Sequence, residues 1–254
     1  MTKWIRFSMY NDVEEKQQAF FNAMQTYKTH WFYRPFGYVT STLILILQAI
    51  TTLNLFLSYQ SMSPLILILD FIVAYILTDF VNGLVHMYMD NNTNYTSVVG
   101  PFVAAFHVHH STLKYAKQSP FSVYFFESGS KFWLLGYLII LLFIQFIVFI
   151  PFIIQFILVC FSILSSLAEV SHYWCHNATP KNIAIKWLQK HHVLLSAKHH
   201  ALHHTEDNVQ YAFLNGISDP VINRISRYWY PGYKNHADRH MTAYMKRIGN
   251  PPEK

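Results

Sequence analysis

The chain has 254 residues, of which 52% are hydrophobic and 13% charged, against a charged share of about a quarter in a soluble domain. That balance argues against an ordinary soluble enzyme or a disordered segment and points to a membrane protein. A formal net charge of +6 then reads as topology and lipid contact rather than as a nucleic-acid footprint.

The opening stretch, MTKWIRFSMYNDVEEKQQAF, is polar and lacks an apolar core, so no cleavable signal peptide is expected. Within it Phe20, Met24, Tyr27 and Trp31 recur at helical spacing, opposite Glu14, Glu15, Lys16 and Lys28. Two readings stand side by side: a helix lying in the membrane interface, or a helix docked on the protein itself. We divide the chain into an N-terminal cytoplasmic or interfacial segment, 1–36, and a single membrane domain, 37–254, ending in a short polar tail after Pro251.

A crossing helix needs about 20 mainly apolar residues. Residues 37–59 supply one, and the run after Pro64 to about His86 a second. The apolar block from 132 is too long for one crossing and carries Pro151, where a helix kinks or stops, so it divides into 132–150 and 152–173. The fold class expected is an all-α integral membrane protein with about four transmembrane helices and a His-rich cytoplasmic helical cap. Lys and Arg are confined to the N-terminal segment, the 87–131 connection and the region after 175, with none at 60–63 or at 151. Both termini and the middle connection are therefore expected on the cytoplasmic side. Cys160, inside a span, and Cys175, past its end, would lie about 22 Å apart along a helix, too far to pair. Aromatic residues at 227–233, RYWYPGY, are placed at headgroup depth.

Fifteen histidines are present, and twelve fall in four short stretches that this topology gathers at the cytoplasmic ends of the spans. Asp79, Asn82, Gly83 and His86 share one helical face, which Asp90 extends, and an ionisable residue at that depth is a functional-site candidate. Asp70, nearer the other end, is read as a packing residue paired with a polar neighbour. His172 and His176 stand one turn apart, with Glu169 one turn before, a spacing that lets two imidazoles ligate one metal. His107, His109 and His110 lie in the connection. In QKHHVLLSAKHHALHH, residues 189–204, His192, His199 and His203 share one helical face while His200 and His204 share a neighbouring one. One helix could then serve two metals, and ten or more histidines exceed the three or four ligands one ion takes. Imidazoles alone leave zinc, copper, nickel and iron open.

The runs DFVNGLVHMYMDN, FHVHH, EVSHYWCH and LQKHHVLLSAKHHALHH resemble, in order and spacing, the Kua-type lipid desaturases, over roughly residues 70–230. That family includes plasmanylethanolamine desaturases and the plant desaturase of phosphatidylglycerol palmitate. The resemblance implies that His86, His109, His110, His172, His176, His192, His199, His200, His203 and His204 hold two iron ions, with O2 as co-substrate. The carboxylates Asp79, Asp90, Glu127 and Glu169 are available behind the histidines or as extra ligands, and His107 and His191, which stand where ether-lipid members usually have other residues, are read as supporting. The sequence departs from the ether-lipid members where Ser111 and Thr112 follow the histidine pair, and where VYFFESG keeps only Glu127 and Gly129 of their pattern. The chemistry transfers through the resemblance more directly than the substrate.

Taking two hydrogens from an unactivated chain is beyond side-chain acid–base chemistry and requires a metal oxidant. The activity expected is an oxidoreductase turning plasmanylethanolamine into plasmenylethanolamine close to the headgroup. Its partners are a membrane phospholipid or ether lipid and an external electron donor, cytochrome b5-like or ferredoxin-like, with no nucleic acid. The alternatives are a phospholipid fatty-acyl desaturase or hydroxylase on the same site and, from another class, a divalent-metal transporter. Against the transporter, such proteins hold their ligands near the bilayer midplane. Among compartments a bacterial inner membrane is preferred to the endoplasmic reticulum.

Overall fold

The computed structural model describes residues 3–111, 118–127, 131–176 and 182–249. Thr112, Gly129 and the tail after Pro251 lie outside the described residues. Within them the chain is all helical: α1 Lys3–Thr29, α2 Gly37–Leu57, α3 Pro64–Asn91, α4 Gly100–His107, α5 Pro120–Phe126, α6 Phe132–Ile147, α7 Phe152–Ser166, α8 Ala168–Cys175, α9 Ile183–Lys190, α10 Ala197–Thr205, α11 Asp219–Trp229 and α12 Ala237–Arg247.

α2, α3, α6 and α7 pack as a bundle, α3 on α7 and α2 on both α6 and α7. Their interiors carry small and polar residues, among them Thr40, Ser41, Thr51, Ser162 and Ser165, which let helices approach closely. Gln48 Nε2 donates to the Ser162 carbonyl at 2.8 Å, and apolar contacts of Ile44 with Leu134 and Leu138 close the α2–α6 seam. Leu45, Ile46, Leu53, Phe56, Phe143 and Phe146 face outward, as hydrocarbon-facing residues do.

By length and composition the segment Val13–Leu57, which contains α2, and α3 can cross a bilayer, and α7 with α8 makes a third crossing if that pair, bent by 43°, is one span. The bend falls at Leu167, between α7 and α8. α6 has 16 residues, short of the length a crossing needs. Asp70, expected to have a polar partner, is buried with Oδ2 making no hydrogen bond to any described residue.

α1, α4 and α12 form a layer at the end of the bundle where α3 finishes, and α11 packs along α3 itself. α1 docks on α4 and α12, burying Phe20, Met24 and Tyr27 in a core that also holds Tyr95, Phe102, Phe106 and Tyr244. This settles the choice left open above: those three residues cover protein. Trp31 lies beyond the end of α1 and is 64% exposed.

Candidate metal centre

α3 positions one side of the site by spending a whole face on tertiary contacts. Asp79 Oδ1 accepts backbone N–H groups from Leu214 at 3.1 Å, Asn215 at 2.9 Å and Gly216 at 3.3 Å. Its Oδ2 takes the Ser218 N–H at 3.0 Å and hydroxyl at 2.6 Å. Asn82 donates to Ser165 Oγ of α7 at 3.0 Å. Gly83 lets α11 approach, because a Cβ there would lie 2.4 Å from Ile222 Cδ1. One and two turns further on the same face, His86 and Asp90 are fully buried.

Two groups of ligand-type side chains lie side by side, and within each the ligand atoms lie within 4.8 Å of one another. One group is His86, Asp90, His109, His110 and His203, and the other is His109, His172, His176, His200 and His204. A nitrogen binds one ion at a time, so His109 completes one group and leaves four ligand side chains in the other.

In the first group every imidazole spends Nδ1 on an acceptor: His86 on the Tyr211 carbonyl at 2.7 Å, His109 on Phe106 at 2.7 Å, His203 on Val209 at 2.9 Å. His110 gives its Nδ1–H to Asp238 Oδ1 at 2.6 Å. That leaves each Nε2 lone pair for the same space, the orientation a metal-ligating histidine takes. Nε2 of His86 and of His203 lie 3.0 and 3.2 Å from Asp90 Oδ2, and Nε2 of His110 lies 3.3 Å from Oδ1. His109 Nε2 is buried with no hydrogen-bond partner among the described residues, and the buried Asp90 oxygens are met by the Nε2 atoms of His86, His110 and His203. Orphaned polar atoms at such depth are rare unless an ion satisfies them.

In the second group the Nε2 atoms of His172, His176, His200 and His204 approach one another at 3.0 to 3.3 Å. Nitrogens about 2.1 Å from one ion and at right angles to each other stand about 3.0 Å apart, so the donor set fits a divalent cation. Burial, then the neighbouring imidazoles, hold His176, His200 and His204 well below the ordinary imidazole range. Burial likewise brings His203 down to about 4. These are neutral imidazoles, the form that binds metal. His110 goes the other way: burial opposes its charge, but Asp90 and Asp238 push it up to about 10 in the metal-free protein. The Phe213 ring lies against His86 and His172, 4.3 Å from each, and walls the site from water.

α10 serves both groups along the division the sequence leads one to expect, His203 in one and His200 and His204 in the other, but without His192 and His199. Ser196 caps the helix by accepting the His199 N–H at 3.2 Å, so α10 begins at Ala197. His192 precedes it in a left-handed conformation, φ 57°, and is exposed. His199, on the side turned from both groups, bonds Asp219 Oδ2 at 2.7 Å. Of the histidines named by the resemblance, the structure leaves His192 and His199 outside both groups, because the cap starts the helix after His192 and His199 turns to Asp219 of α11.

Among the supporting positions, Asp90 stands at ligand distance rather than behind the ligands. Glu169 lies 3.8 Å from His172 Nδ1, and buried Glu127 accepts from Gln118 at 3.4 Å. His107 is buried outside both groups, with Nε2 on the Met89 carbonyl at 2.7 Å. His191 is exposed and lies against Trp187. Of the aromatics at 227–233, Tyr228 and Trp229 are exposed, whereas Tyr233 is buried with its hydroxyl on the His203 and Glu206 carbonyls.

The sequence reading missed Asp238, which no spacing signal marks. The ligand-range place of Asp90 was visible as an i, i+4 partner of His86.

A family model described as a lipid desaturase domain matches residues 75–230. No curated protein and no solved structure matches the chain. Since the match covers more than half of the chain and contains every residue of both histidine groups, the chain belongs to the lipid desaturase domain family.

Proposed function

We propose that this protein is an O2-dependent di-iron desaturase of the Kua type that converts plasmanylethanolamine to plasmenylethanolamine. The observation that carries the reading is the pair of adjacent ligand groups, nine side chains in all, within a lipid desaturase domain. Iron bound there would supply the oxidising power for C–H cleavage that no side chain has. His86, Asp90, His110 and His203 would hold one ion and His172, His176, His200 and His204 the other, with His109 on either.

The protein's own part is to orient and to exclude water. Backbone carbonyls and Asp238 fix the imidazole tautomers, Asp79 pins the 214–218 loop, and the preceding residue Phe213 covers the imidazoles. The site stands at one end of α3, so a lipid lying along the bundle presents its headgroup-proximal carbons first. This placement favours reaction near the headgroup, as a vinyl ether requires. The same reading takes α2, α3, α6 lengthened by the apolar residues 148–150, and the α7–α8 pair as four crossings, with site and termini cytoplasmic, in a bacterial inner membrane in preference to the endoplasmic reticulum. Electrons come from an external cytochrome b5-like or ferredoxin-like donor.

The test is lipid mass spectrometry of cells fed alkyl-ether lipid and expressing the protein or its His203→Ala variant. The expected product is two hydrogens lighter, labile to mild acid and absent with the variant. An acid-stable product of that mass would move the substrate to an acyl chain, and a gain of one oxygen would move the reaction to hydroxylation. Unchanged lipids with metal uptake that tracks expression would return the transporter.

A further inference from the structure

The α12 face of the helical layer carries a depression of about 340 Å³ lined by Gln17, Lys234, Asp238, Arg239, Thr242 and Lys246. Two of its side chains reach directly to ligand histidines. Asp238 bonds His110 Nδ1 at 2.6 Å, and Lys234 Nζ donates to the His204 carbonyl at 2.7 Å. Among the described residues Asp238 is the one carboxylate lining it and is already engaged, so the rim presents the cations Arg239 and Lys246, both exposed.

The position of this face follows from the level of each contact along α3. Tyr75 bonds the Val193 carbonyl and Asp79 holds the 214–218 loop, so α9 and α11 flank the level of residues 75–79. Their outward residues include Ile183, Trp187, Val221, Tyr228 and Trp229, beside Lys186, Arg224 and Arg227, a composition suited to a headgroup layer. Asp90 stands 11 residues beyond Asp79, about 16 Å along the helix, and α1 and α12 pack at and beyond it through Lys16 to Thr93, 3.5 Å, and Asp238 to His110. The depression therefore opens on the side of the histidines away from the lipid-facing helices.

We infer that the depression lined by Lys234, Asp238, Arg239 and Lys246 is the docking surface for an acidic one-electron carrier protein, which delivers electrons to the metal centre across the Asp238–His110 contact. The inference rests on the desaturase reading. In that reaction one O2, two hydrogen atoms from the chain, two electrons and two protons give one carbon–carbon double bond and two waters. The carrier supplies the two electrons one at a time and is itself oxidised. A basic rim steers an acidic partner and orients it, and the effect is screened by salt.

The test uses the full-length, metal-free protein in nanodiscs, with a plant-type [2Fe–2S] ferredoxin and a soluble cytochrome b5 haem domain as probes. At low ionic strength the Arg239→Glu, Lys246→Glu double variant is expected to bind at least one of them about tenfold more weakly than the native protein. The gap should close as salt rises, while Arg227→Glu on α11 leaves affinity unchanged. Equal affinity of native and double-variant protein, or no binding of either carrier by the native protein, would overturn the proposal. So would quenching of a dye on Lys246→Cys by brominated lipid, which would turn this face to the bilayer. The desaturase reading fails separately: with dithionite as reductant the iron-loaded native and double-variant proteins should form product equally, and no product from either would sink that reading without touching the binding result.

Discussion

Nδ1 of His110 meets a carboxylate from α12, Asp238, at 2.6 Å, although α12 lies beyond the matched domain, which ends at residue 230. A carboxylate behind a ligand histidine fixes its tautomer and raises its basicity, and losing such a partner costs about 10- to 100-fold in metal affinity. Asp238→Asn should therefore weaken Co2+ binding by about that factor in a spectroscopic titration, with the d–d bands altered and partly restored by Asp238→Glu. His199→Ala serves as the contrast. His199 faces Asp219 and neither ligand group, so its loss should leave metal stoichiometry as it is, whereas His200→Ala should lower it. The two histidines are neighbours of the same type on one helix, and their different fates come from where α11 lies.

At the scale of elements, α4, α5, α9, α11 and α12 went unread, apolar length located α2, α3, α6 and α7, and periodicity found α1 and α10. It also identified the α3 face of Asp79, Asn82, Gly83 and His86, which is buried in full. What periodicity could not supply was the start of α10. Extending the helix back to His192 ignored Ser196, whose hydroxyl accepts the His199 N–H, although a serine ahead of a helix is a recognised start signal. The same cap directs His200 and His204 to one group and His203 to the other. Ser196→Ala should cost about 1 kcal/mol in a denaturant or thermal unfolding assay and loosen Co2+ binding at both groups together, since one helix carries ligands of each. The break at Leu167 that bends α7 into α8 carries no proline, and the Ser165–Ser166 pair just before it, a residue type at which helices kink, went unread.

For the whole molecule, packing so many imidazoles into one dry space makes stability depend on pH and metal. His176, His200, His203 and His204 have folded values below the ordinary one, mainly because burial disfavours the cation. The unfolded chain therefore binds more protons below a pH of about 6.5. Stability from these groups is present above that value and lost as pH falls from it toward the folded values. His110, raised to about 10, contributes in the opposite sense, stabilising below the unfolded value and fading as pH rises through 10, but it is one residue against several. The metal-free protein should therefore melt at a lower temperature at pH 5 than at pH 7.5 in detergent. Divalent metal at pH 7.5 should raise the melting temperature further, since binding to the folded state alone stabilises it.

By itself the sequence determined the class of the protein. Long uncharged stretches point to a membrane and clustered histidines at helical spacing to a metal site, because both signals are local and survive without knowledge of the fold. Only the tertiary structure decided which histidines converge. Membership in a ligand group depends on atoms from α3, the 108–111 turn, α8 and α10 meeting in one space, and on second partners such as the Tyr211 and Phe106 carbonyls and Asp238 turning each ring. Those contacts join residues up to 128 positions apart, and no spacing along the chain encodes them.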